Sequence, residues 1–251
     1  MKNHTWVALG LFSLITILAP TAEAGRFDRD YIHFFIPKNV LKQAKATIGP
    51  EATNRLIAWN ELIVNNRDKP VAEKLKLTNE FFNRIPLKPE KELWGHPHWS
   101  TPFEMVTRNG GGHADHVIGK YMTLAALGIS VDQLQMTHVH SVTTSDQSYM
   151  VLTYRSEPNT MPLVLDTLNS EIILANERND LSPEDSLNEN GTWRSKAQKT
   201  GFADADADAE ASEHVKLWHE MNARMDKELS PVENTAAMLK VLEASKKLSE
   251  H

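Results

Sequence analysis

"GGGHADHVIGKYMTLAALGI" spans residues 110–129, and its reading decides the fold. A glycine-rich turn runs into a stretch where Ile118, Tyr121, Met122 and Ala125 recur at helical spacing, and Gly128 closes it. A helix that starts at such a turn aims its free backbone N–H groups and the positive end of its dipole at whatever stands there. That favours an anion or an activated nucleophile. The residue in that place is Ala114, which carries no reactive group, flanked by His113, Asp115 and His116.

Upstream, residues 38–65 carry helical periodicity broken at Gly49-Pro50, and residues 70–84 read as another helix with Pro70 at its start. Between these helices and the opening stretch lies a region rich in proline, glycine and aromatics, residues 86–112, which reads as a long ordered loop packed by Trp94, Trp99 and Phe103. Downstream, "LQMTHVHSV" (134–142), "YMVLTYRSE" (149–157) and "PLVLDTLN" (162–169) read as short strands, and "EIILANERND" (171–180) adds a fourth. The acidic run "ADADADAE" (203–210) reads as a solvated lead-in to two amphipathic helices, 213–229 and 232–248. Helices, one central helix, a meander of strands and helices again predict an α+β fold, with the central helix packed on an antiparallel sheet.

Composition bounds the function. At 41% hydrophobic and 24% charged the chain is of ordinary globular type, and a net charge of −6 without a basic stripe argues against nucleic-acid binding. Residues 1–24 hold Lys2, an apolar run and the small-x-small triplet Ala22-Glu23-Ala24, the pattern of a cleaved secretory leader. No later stretch is apolar and long enough to span a bilayer. The expected organisation is a signal peptide at 1–24, a main domain at 25–204 and a helical extension at 205–251. The chain has no cysteine, so it has neither disulfides nor a thiol nucleophile.

The blocks "WSTPFE" (99–104), Gly112, "GKYMTLAALGI" (119–129), "MVLTY" (150–154), "PLVLD" (162–166), "NERNDLSP" (176–183), "NENGTW" (188–193) and "HVKLWHEM" (214–221) together resemble the LapG-type bacterial transglutaminase-like cysteine proteases. The likeness covers residues 50–225 and implies a papain-like, transglutaminase-like fold. Members of that family are periplasmic, bind calcium and release biofilm cells by clipping surface adhesins. In them the helix opens with Gly-Asp-Cys-Glu-Asp. Ala114 stands at the nucleophile's place, Tyr149 at the catalytic histidine's, and only the orienting aspartate persists, as Asp166. The resemblance therefore implies a periplasmic pseudoprotease without activity, which acts by binding an adhesin or a LapD-like cyclic di-GMP receptor. Ser148 and Thr123 are the neighbouring hydroxyls, and neither sits at the helix start.

In the family the acidic residues flanking the cysteine help bind calcium. Here they are His113 and Asp115, and imidazole in place of carboxylate weakens a calcium site while suiting zinc or copper. Among the eleven histidines, His113 and His116 share one helix face, and His138 and His140 one strand face. Pairing of the first two strands would bring His140 towards Tyr149. His113, Asp115, His116 and His140 thus form a candidate transition-metal set, and a metal-dependent hydrolase is the alternative reading. An active peptidase of the family type is a further one.

Overall fold

The computed structural model describes residues 34, 36–142, 148–187, 193–195, 205–230 and 232–249, so the expected leader at 1–24 lies outside the described residues. Three helices come first: α1 (Lys38–Thr47), α2 (Gly49–Asn65) and α3 (Val71–Asn83). The break between α1 and α2 has a covalent cause. Gly49 takes a left-handed φ of 83°, and Pro50 supplies no N–H at the first turn of α2.

The region read as a loop contains two short helices. Gly95, at φ 75°, ends α4 (Glu90–Trp94). A reciprocal cap starts α5 (Pro102–Arg108): the Thr101 hydroxyl accepts from the Glu104 N–H, and the Glu104 carboxylate accepts from the Thr101 N–H. Trp99 and Phe103 are buried, as their density in this segment led one to expect.

Next comes the central helix, α6 (His113–Ala126), every residue of which except His113 is buried. It packs on an antiparallel sheet of order β4-β3-β2-β1-β5-β6, formed by β1 (Leu134–Ser141), β2 (Ser148–Tyr154), β3 (Leu163–Leu165), β4 (Ile173–Leu174), β5 (Leu181–Leu187) and β6 (Trp193–Ser195). The α+β reading holds, but β5 was not legible. Its sequence, "LSPEDSL", lacks alternation and contains Pro183. That proline is tolerated because it pairs with Val139 where the β1–β5 register shifts, and a bulge does not require its missing N–H.

The chain ends in α7 (Ala205–Leu229) and α8 (Asn234–Ser249). The acidic run is not a lead-in: from Ala205 it is already helix. Alanine propensity and carboxylates at the positive end of the dipole both favour that outcome. Both helices complete the main core rather than hang from it. Trp218 packs edge-on to Tyr121 of α6 at 6.4 Å, and Met221, Met225, Met238 and Leu242 are all buried in the same cluster.

One glycine shows how closely α6 is approached. A Cβ on Gly119 would stand 2.3 Å from the ring of Phe82 on α3. Gly119→Ala should lower stability by about 1–3 kcal/mol through overpacking, and Phe82→Leu in the same chain should recover part of the loss. Urea melts of both variants test this, and an unchanged midpoint for Gly119→Ala would contradict it.

Candidate functional site

Burying the start of α6 leaves its first backbone N–H groups without water, so other groups must satisfy them. Asp115 does much of this. Its carboxylate accepts from the Gly112 N–H at 2.9 Å, the Ser100 N–H at 2.6 Å and the Ser100 hydroxyl at 3.2 Å. Asp115 thereby ties the helix start to the segment before α5. Burial lifts its pKa to about 7, against the hold of those hydrogen bonds. His116 is fully buried, with Nδ1 2.8 Å from the Gly112 carbonyl and Nε2 2.9 Å from the Ile85 carbonyl. Both nitrogens face backbone carbonyls, so neither points into space where a ligand could sit.

The second half of the site hangs on Asp166, just past the end of β3 and wholly buried. One oxygen, Oδ1, accepts from the Leu168 N–H at 2.9 Å. The other, Oδ2, accepts from the Tyr149 hydroxyl at 3.0 Å and from Arg178 Nη2 at 2.7 Å. Arg178 is buried too, and its Nε and Nη2 also donate to the Asp180 carboxylate at 2.8 and 2.7 Å. Two carboxylates hold the guanidinium pKa well above its ordinary value. Burial, then the charge of Asp166, pushes the Tyr149 phenol above its ordinary range. Where the family resemblance places a histidine that takes up a proton, this chain has a phenol that keeps its own.

The two halves meet at His113, whose ring centroid lies 4.9 Å from that of Tyr149. Burial lowers the His113 pKa and Asp166 opposes the shift, while Nδ1 is buried without a hydrogen-bond partner among the described residues. Two turns further along the same face, Lys120 is buried with its Nζ 3.5 Å from the Thr167 hydroxyl, and desolvation brings its pKa down to about 7.

Of the residues singled out from the sequence, the structure brings together His113, Tyr149 and Asp166 in one cluster and places Ala114, 9% exposed, in the first turn of the same helix. The four candidate metal ligands do not converge. Asp115 and His116 face inward as described. The two strands do pair as expected, but the register sets His140 opposite Ser148 and Val139 opposite Tyr149. Successive side chains alternate faces, so His140 projects from the reverse side of the hairpin to Tyr149. Among the described residues no group of three or more metal-binding side chains is placed to hold an ion. Calcium, which takes roughly six to eight oxygen ligands, does not fit the pair His113 and Asp115: one offers nitrogen, and the other's carboxylate is already engaged by three donors. Arg178 and Lys120 were missed as site residues. Arg178 stands in a quoted block, "NERNDLSP", but nothing in that block tells which carboxylate it meets.

Removing Arg178 strands Asp166 as a buried charge, so Arg178→Met should lower stability by about 3–5 kcal/mol. Tyr149→Phe removes a single hydrogen bond and should lower it by about 1 kcal/mol. Denaturant melts test the ordering. The buried titrating pair also shapes the pH profile. Asp115 rises from 3.8 to about 7, so the folded chain holds the extra proton between those values and stability falls as pH climbs through them. Lys120 falls from 10.5 to about 7, so over that window the unfolded chain holds the extra proton and stability rises with pH. Lys120→Met should flatten the alkaline rise and leave the acid branch in place. A rise that persists in the variant would refute the assignment.

No family model and no curated protein matches the chain. Solved structures do. An EGTA-treated form of Legionella pneumophila LapG is 35% identical with a TM-score of 0.55, over 62% of this chain and 83% of that one. The calcium-bound form is 34% identical with a TM-score of 0.56, over 63% and 87%. A third structure of Legionella pneumophila LapG is 32% identical with a TM-score of 0.56, over 72% and 98%. Together with the helix start facing the Tyr149–Asp166 pair, these matches show that the chain belongs to the LapG family of transglutaminase-like cysteine proteases.

Proposed function

We propose that this chain is a catalytically silent LapG-family protein of the periplasm that acts by binding, to an adhesin segment or to a LapD-like cyclic di-GMP receptor, and so modulates adhesin release. The observation that carries this reading is Ala114 at the start of α6, in a chain without cysteine. Acyl transfer of the family type needs a thiolate, and loss of the nucleophile or the base of such a unit removes orders of magnitude in rate. Neither neighbouring hydroxyl takes its place. Thr123 is buried and accepts from Trp59 Nε1 at 2.9 Å, and Ser148 lies opposite His140 on the reverse side of the hairpin.

A binding role draws support from the rim of the same site. Three large apolar side chains are exposed there: Leu87 39%, Val142 60% and Leu168 49%. Each is fastened to the site by its backbone. Leu87 bridges to Gly111, the Val142 N–H donates to the Asp180 carbonyl, and the Leu168 N–H donates to Asp166. Exposed apolar groups around a site without a nucleophile serve contact rather than chemistry. The leader-like residues 1–24 support export, and among the described residues no helix is long and apolar enough to cross a membrane.

The test is a capture experiment joined to a cleavage assay. Purified protein should retain an adhesin linker fragment or the periplasmic domain of a LapD-like receptor, and leave the fragment intact. Val142→Asp with Leu168→Asp should abolish retention without lowering the melting temperature. Cleavage of the fragment would overturn the inactive assignment, and failure to retain either partner would overturn the binding role. The chain is also proposed to have lost calcium at the helix start. Its melting temperature should be the same in millimolar calcium and in EGTA, since a bound ion would raise it by mass action.

A further inference from the structure

The C-terminal helices enclose a cavity of about 380 Å³, none of whose lining residues belongs to the site around Ala114. Its apolar side is Ala237, Val241 and Ala244 of α8 together with Trp94. An adjoining hollow of about 430 Å³ shares Trp94, Arg108, Lys240 and Ala244 with it, so the two form one slot along α8. Trp94 offers only its edge. The Arg108 guanidinium lies 3.6 Å from its ring centroid, and the His98 ring is stacked on it at 3.8 Å.

Charge within the slot is one-sided. Two of its acids are quenched. Glu104 is buried, and its carboxylate accepts from the Thr101 N–H and from Arg224 and contacts His98. Glu228 is 3% exposed and accepts from the Thr101 hydroxyl at 2.9 Å, and burial followed by the proximity of Glu104 raises its pKa well above the ordinary carboxylate range. The cations are less fully matched. Lys227, Lys240 and Lys247 form no ion pair within 4 Å among the described residues, against Glu233 and Glu243 as the remaining acids of the slot. Arg108 is the telling one. It is half-buried, donates Nη1 to the Leu93 carbonyl and keeps Nε buried without a partner. Burial lowers its pKa against the opposing charge of Glu104, and a partly desolvated guanidinium with an unpartnered Nε is costly unless a further anion completes it.

We propose that this slot binds a small amphipathic anion, its apolar body lying against Val241 and Ala244 and its carboxylate or sulfonate head meeting Arg108 and Lys240. The volume suits a ligand of that size, and an apolar wall on α8 facing charged groups suits one with an apolar body and a charged head. The assignment is independent of the reading of the site at Ala114.

A fluorescence titration of the purified protein with 8-anilinonaphthalene-1-sulfonate tests it, with decanoate and decanol as competitors. Saturable binding with one probe per chain is expected, displaced by decanoate and much less by neutral decanol. Ala244 and Lys240 are exposed, so substitution there leaves the core alone. Ala244→Trp, which fills the junction of the two hollows, and Lys240→Glu should each weaken the probe by about tenfold. Equal affinity in both variants, equal displacement by decanol, or no saturable binding would overturn the proposal. So would an oligoglutamate peptide that displaces the probe better than decanoate, which would assign the slot to a protein partner.

Discussion

A helix surrounded by protein on every side can leave no polar group to water, and α6 is such a helix. Several of the polar groups it carries are answered by particular neighbours. The carboxylate of Asp115 caps its start and reaches back to Ser100, His116 lies between two carbonyls, and Thr123 accepts from Trp59. At the far end Lys74 of α3 donates to the Leu127 carbonyl at 2.7 Å, placing a cation where the helix dipole is negative. The helices before the sheet and the segment before α5 are tied to α6 through these groups, and the C-terminal pair packs on it through apolar side chains.

The same demand explains what became of the site. Asp166 is buried where the family resemblance expects the carboxylate that orients a histidine, and a buried carboxylate must be paired whatever the chemistry. Here Tyr149 and Arg178 pair it, with the Leu168 N–H on the other oxygen. The phenol keeps the hydrogen bond to Asp166 and withholds base chemistry. An aspartate in this position is therefore weak support for activity by itself, because the fold needs its partners in either case.

Legibility followed how local the signal was. The helices at 38–65 and 70–84 and the strands from 134 to 165 could be read because periodicity and Gly-Pro punctuation act within a few residues. The two short helices in the aromatic-rich segment were read as loop, although "STPFE" carries a complete cap: threonine, proline at the first turn, glutamate three residues on. The strand at 181–187 could not be read, since a bulge and two neighbouring strands hold it rather than its own pattern. For His140 a one-residue matter of register decided the outcome. The hairpin formed as expected, and alternation turned the ring to the side away from Tyr149.

What the sequence determined by itself was the absence of a thiol and the frame around it: no cysteine in the chain, alanine at the head of a helix, and blocks of residues ordered as in the LapG family. These are statements about residue identity and short-range spacing, which no packing arrangement alters. What tertiary structure alone decided was which polar groups met. That Asp166 pairs with Arg178 rather than with a histidine, that Asp115 and His116 face inward, and that the C-terminal helices close a slot against Trp94 and Arg108 all depend on contacts between segments far apart in the chain. Burial sets the energy of those contacts, and burial is not written in any one segment.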